Sequence, residues 1–156
     1  MRKLFMSLPV IFLLATSMVS CSDKNLGSPK SKSELLTRNP WYLEKFEQKT
    51  DNNPWVNNYA SLPNCVKDNI SSFQIINSLV IDEGQTKCSP SDPQTTSLPW
   101  RFADDNTKII ITLNTGELSC TIEQLDDRIL SYSTSTVNGG ITYYTRYTYL
   151  RNPTAI

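Results

Sequence analysis

From residue 40 onward, apolar and polar residues alternate with a period of two over short segments separated by clusters of Asp, Asn, Gly, Pro and Ser. That period sends successive side chains to opposite faces of a strand. In ELSCTIEQL, Leu118, Cys120 and Ile122 share one face, while Glu117, Ser119, Thr121 and Glu123 share the other. RILSYSTS sets Leu130 beside Tyr132 after an Asp126-Asp127 turn. Lys108 to Leu113 aligns Ile109, Ile111 and Leu113 after an Asp104-Asp105-Asn106 turn. Ile141 to Leu150 sets Ile141, Tyr143, Thr145, Tyr147 and Tyr149 against Thr142, Tyr144, Arg146 and Thr148. Earlier strands are predicted at WYLEKFEQ from Trp41, at NISSFQI around Phe73 and Ile75, and at SLVID around Leu79 and Ile81. LPWRFA follows, with Leu98, Trp100 and Phe102 together.

The pattern predicts an all-β domain of eight strands in an antiparallel up-and-down meander that closes on itself, since closure removes the edges that invite aggregation. A two-sheet sandwich would carry the same alternation. A short N-terminal helical turn is predicted at Lys32 to Thr37, where Ser33-Glu34-Leu35-Leu36 fits one turn. An eight-stranded barrel is just wide enough to fill itself with side chains or hold one small ligand. The inward residues here are bulky, so a mostly filled interior is expected, with any binding site near one open end.

Ahead of the strands, Arg2 and Lys3 precede the apolar run LFMSLPVIFLLATSMVS. Its uninterrupted core, Leu8 to Ala15, is too short to span a bilayer of roughly 30 Å, so the segment reads as a secretory leader. It ends in Val19-Ser20-Cys21. This resembles the lipobox of bacterial lipoproteins, with Met18 where a branched aliphatic is usual. The resemblance implies cleavage after residue 20 and lipidation of Cys21, hence attachment to a membrane. Ser22, rather than an aspartate, follows the cysteine, which implies the outer membrane, on its periplasmic face or at the cell surface. Residues 22–33 (SDKNLGSPKSKS) are polar and without period, so 21–33 reads as a tether and 34–152 as the folded domain.

Charge and chemistry narrow the function further. Without the leader, thirteen basic residues face fifteen acidic ones, which offers no basic stripe for nucleic acid. The chain contains no histidine. That removes Ser-His-Asp and Cys-His nucleophile systems and imidazole metal sites. Cofactors and metals are expected to be absent, and the protein is read as a non-enzyme. The carboxylate pairs Asp82-Glu83, Asp104-Asp105 and Asp126-Asp127 sit between strands, where Asp caps turns. Cys120 is expected to point inward as a free, buried thiol.

A disulfide between Cys65 and Cys88 is predicted from hairpin register. A two-residue turn at Ile76-Asn77 pairs Ile75 with Ser78 and Phe73 with Val80. The same register places Cys65 opposite Cys88, within bridging reach even if a bulge near Gly84 shifts it by one residue. Bridges from Cys120 would require its inward side chain to meet the hairpin end.

The order LLTRNPWYLEKFE, C-x22-C around DNISSFQIINSLVIDEG, SLPWRFADDNTKIIIT and TIEQLDDRILSY resembles the lipocalin-like domains of Bacteroidetes lipoproteins over roughly residues 34–150. That resemblance implies a calycin-type β-barrel, a lipocalin-like barrel whose ligand it does not specify.

Two functions follow from these readings. The first is binding of a small amphipathic or hydrophobic ligand, with Trp100, Phe102, Tyr132, Tyr143, Tyr147 and Tyr149 as the candidate lining. A cavity above roughly 300 Å³ open to solvent would mark this function. The second is an envelope protein-protein interaction module with a filled barrel. Its candidate surface is loop 49–64 (KTDNNPWVNNYASLPN), which carries Trp55 and Tyr59. Alternatively, Trp55 closes one end of the barrel.

Overall fold

A computed structural model describes residues 29–151. The leader, Cys21 and residues 22–28 of the tether lie outside the described residues. Among those described, α1 spans Lys32–Thr37, and it is followed by β1 (Trp41–Thr50) and the two-residue β2 (Val56–Asn57). A 3₁₀ turn (Tyr59–Ser61) and α2 (Asn64–Lys67) lead into β3 (Ile70–Gln74) and β4 (Ser78–Asp82). Then come β5 (Thr95–Ala103), β6 (Lys108–Leu113), β7 (Gly116–Leu125), β8 (Ile129–Asn138) and β9 (Ile141–Leu150). Every neighbour pairing is antiparallel in sequence order from β3 to β9, and β1 pairs with both β3 and β9. The result is the expected closed eight-stranded meander.

The short β2 has a specific place in the wall. β3 holds β1 only at Trp41 and Tyr42, whereas β2 pairs further along the same edge at Glu47 and Gln48. The segment expected as an open loop at 49–64 is therefore partly wall. Trp55 does not close the barrel end. It lies half-buried on the outer face, with its ring 4.3 Å from the Arg146 guanidinium and 5.1 Å from the Lys49 ammonium.

The other end of the barrel is closed by α1. Ser31 caps it by accepting from Glu34 N, the S-x-x-E pattern of a helix start. Leu36 is fully buried among the core residues, and the Trp41 indole N–H donates to its carbonyl at 2.9 Å. Lys30 pairs with Asp127, and Lys32 donates to the Asn106 carbonyl. The folded body therefore reaches back into residues expected to be tether.

The β3–β4 hairpin differs from the expected register. Phe73 faces Leu79 and Gln74 faces Ser78, one residue away from the predicted pairs. The loop has three residues, Ile75 to Asn77, because Asn77 takes a left-handed conformation (φ 59°) that suits the last position of such a loop. Ile75 is consequently not a strand residue. The Cys65–Cys88 disulfide is present with Cα atoms 5.1 Å apart, but not as a cross-strand pair. Cys65 lies in α2 and Cys88 in the segment between β4 and β5. The two segments are drawn together by Asp68, whose Oδ2 accepts from the Gln85 and Thr86 amides and the Thr86 hydroxyl. Gly84 (φ 68°) permits that approach, since a Cβ there would lie 2.3 Å from the Asp68 carbonyl oxygen.

Candidate functional site

The inward faces of β3 to β9 do not meet everywhere. Near α1 they form a packed core with Trp100 at its centre. Its ring meets Phe73 edge-on at 5.4 Å and Phe102 at 5.3 Å, and its N–H donates to the Gln74 carbonyl. Cys120, fully buried, belongs to the same core. Its thiol is free, and burial pushes it up to about 12, so it packs as a small apolar group.

Toward the opposite end the packing gives way to a cavity of about 220 Å³. Its deep wall includes the buried Phe73, Leu79, Ile111 and Tyr132. Its outer wall includes the partly exposed Ile81, Leu98, Leu113 and Leu118. Ile81, Leu113 and Leu118 sit toward the strand ends remote from α1, so the cavity opens at the end that α1 does not close.

One side of the cavity is polar. Tyr132, Tyr147 and Tyr149 lie together, with Tyr132 and Tyr147 centroids 5.5 Å apart and Tyr132 and Tyr149 stacked at 5.7 Å. Their backbone positions explain this: Tyr132 is paired directly with Tyr147, and Tyr149 follows two residues on, along the same face. The Tyr132 and Tyr149 hydroxyls are hydrogen-bonded at 3.1 Å, and Ser71 adds an aliphatic hydroxyl to the three phenols of the wall. Burial raises all three phenols, Tyr149 to about 12, so they stay protonated at neutral pH and offer both donors and acceptors. An apolar pocket with a hydroxyl cluster on one wall can hold a molecule that is greasy along its length and polar at one point. At about 220 Å³ it lies below the roughly 300 Å³ of ordinary ligand pockets, and the interior is mostly filled as expected.

Of the candidate residues, Tyr132, Tyr147 and Tyr149 do line the cavity. Trp100 and Phe102 do not: they are packed in the core layer nearer α1. Tyr143 does not either. It shares the phase of Tyr147 but lies past the rim, 43% exposed, in a groove of about 450 Å³ between β9 and residues 48–58. The rest of the lining, Ser71 and the apolar residues from β3 to β7, lies outside the candidate set. Their signal is the strand phase itself, since Ser71 shares a face with Phe73 and Leu118 with Cys120.

The turn carboxylates act as caps. Asp126 Oδ1 accepts from the Arg128 and Ile129 amides, and Asp82 Oδ1 accepts from Gly84 N. Asp104, Asp105 and Asn106 all have positive φ in the β5–β6 turn.

No protein-family model matches the chain, and no curated protein matches it by sequence. The closed antiparallel meander is consistent with a calycin-like fold.

Proposed function

We propose that this is a lipid-anchored, lipocalin-like binding protein of the bacterial outer membrane, held through Cys21, that takes a small amphipathic or hydrophobic ligand and performs no catalysis. The observation that carries the proposal is the tyrosine-walled cavity at the unplugged end of the barrel. At about 30 Å³ for each water-sized group it has room for roughly seven such groups. The ligand is therefore a small molecule, or one end of a longer chain whose remainder lies at the rim. The Tyr132, Tyr149 and Ser71 hydroxyls would meet its polar group. The lipocalin-like assignment rests on the sequence motifs together with the barrel topology. Titration of the protein with octanol, octanoate and a short alkylphenol, followed by NMR, tests the site. Shifts at Leu118, Tyr132 and Tyr147 that disappear in Leu118→Trp support it, and shifts scattered over the outer surface count against it.

A second reading, the protein-protein interaction module, is favoured by the cavity volume, about 220 Å³ against the roughly 300 Å³ that would mark ligand binding, and by one feature of the same end. Val56, Val137, Ile141 and Tyr143 are apolar or aromatic yet exposed beyond the cavity mouth. A partner seated there would be lost on Ile141→Asp and Tyr143→Asp, while small-ligand titrations would remain unchanged.

A further inference from the structure

We infer that the α1 end of the barrel rests on the lipid bilayer through Ile75 and Ile76, so that the cavity mouth faces the aqueous compartment. The inference rests on the proposed attachment through Cys21.

Three turns project at the α1 end. Two are polar, Asp104-Asp105-Asn106 and Asp126-Asp127-Arg128, as turn chemistry favours. The third carries Ile75 and Ile76, which are 82% and 79% exposed. Neither isoleucine is needed by the core, and Asn77 already supplies the left-handed residue that the loop requires. Two adjacent isoleucines at a projecting tip therefore incur a solvation cost that the isolated fold does not recover.

The chain's own geometry indicates what covers them. Pro29 lies at this end, next to α1, and it follows Cys21 by only eight residues. Such a segment spans at most about 29 Å fully extended. The ten-residue strands rise about 34 Å along their length, or about 26 Å along the axis of a tilted barrel. Bringing the mouth to the membrane would consume nearly the whole reach of the tether, whereas the α1 end sits beside its origin. The acidic turns do not oppose the approach. Asp127 is ringed by Lys30, Arg38 and Arg151, and Asp104 pairs with Lys108. Each isoleucine buried in the interface would add apolar transfer free energy to that of the acyl chains. A ligand would then enter from the aqueous side and not laterally from the bilayer.

Chemical tethering tests this independently of acylation in the cell. The chain from Cys21 onward is coupled through the Cys21 thiol to phosphatidylcholine vesicles carrying a maleimide headgroup lipid; buried Cys120 does not compete. Amide hydrogen exchange is compared with the untethered protein. Exchange at residues 75–77 is expected to slow several-fold, the mouth turns at 114–115 and 139–140 to stay unchanged, and Ile75→Ser/Ile76→Ser to abolish the protection. Absence of protection at 75–77, protection of the mouth turns, or equal protection in the double variant would overturn the inference. Failure of cellular acylation alone would leave this result untouched.

Discussion

The guanidinium of Arg151 lies over the indole of Trp41, 4.5 Å from the ring centroid, and both side chains donate to the backbone of α1. Trp41 opens the first barrel strand and Arg151 follows the last, so one stack joins the two ends of the sheet to the plug. Trp41 is fully buried, and its N–H would leave the Leu36 carbonyl without that partner if removed. Trp41→Ala is expected to cost about 3–5 kcal/mol, read from the urea midpoint. Arg151→Lys keeps the charge but loses the planar stack, and is expected to cost about 1 kcal/mol.

The Cys65–Cys88 bridge closes a segment that includes the whole β3–β4 hairpin. Its removal in Cys65→Ser/Cys88→Ser is expected to cost about 3 kcal/mol, chiefly through the freed unfolded chain. A non-reducing peptide map should show this pair linked and Cys120 unlinked. A peptide joining Cys120 to either residue would refute the assignment.

Alkaline pH should weaken the fold. Cys120 has its proton bound up to about 12 in the folded chain but only to about 9.0 when unfolded, and Tyr149 holds its own to about 12 against 10.0. Both shifts come first from burial. Above pH 9 the unfolded chain binds fewer protons than the folded one, so stability falls as pH rises, by about 1.4 kcal/mol per unit for each such group. Below that pH these groups add no slope. Cys120→Ala should make the dependence shallower between pH 9 and 10, where the thiol is the first of these buried groups to titrate in the unfolded chain and the raised tyrosines supply the rest. Denaturant midpoints across the range measure it, and an unchanged slope would contradict a buried thiol.

The period of two made the eight strands legible, because it reports directly which side chains share a face. It could not report where along the barrel axis each side chain comes to rest. Tyr143, Tyr147 and Trp100 are all on strands whose inward phase is clear. Their depth is fixed by register with neighbouring strands, which places Tyr143 past the rim and Trp100 in the core. Two bulges also shift phase within a strand, between Leu43 and Lys45 and between Ile122 and Gln124. The Cys65–Cys88 pairing holds although the hairpin register lies one residue from the one that predicts it. What joins these cysteines is the Asp68 cradle beyond the strand ends, and its long-range hydrogen bonds leave no periodic trace. Trp55 was visible as an aromatic in a polar loop, but its seat between Lys49 and Arg146 depends on β1 and β9 being neighbours.

Native mass spectrometry of the protein extracted from its own envelope most directly tests whether the tyrosine-walled cavity holds a ligand. The account predicts a population carrying one additional small non-covalent mass, lost in Leu118→Trp and reduced in Tyr132→Phe/Tyr149→Phe, which removes the hydrogen-bonded hydroxyl pair while keeping the rings. A bare chain mass in every preparation, with no retained mass under gentle desolvation, would contradict it.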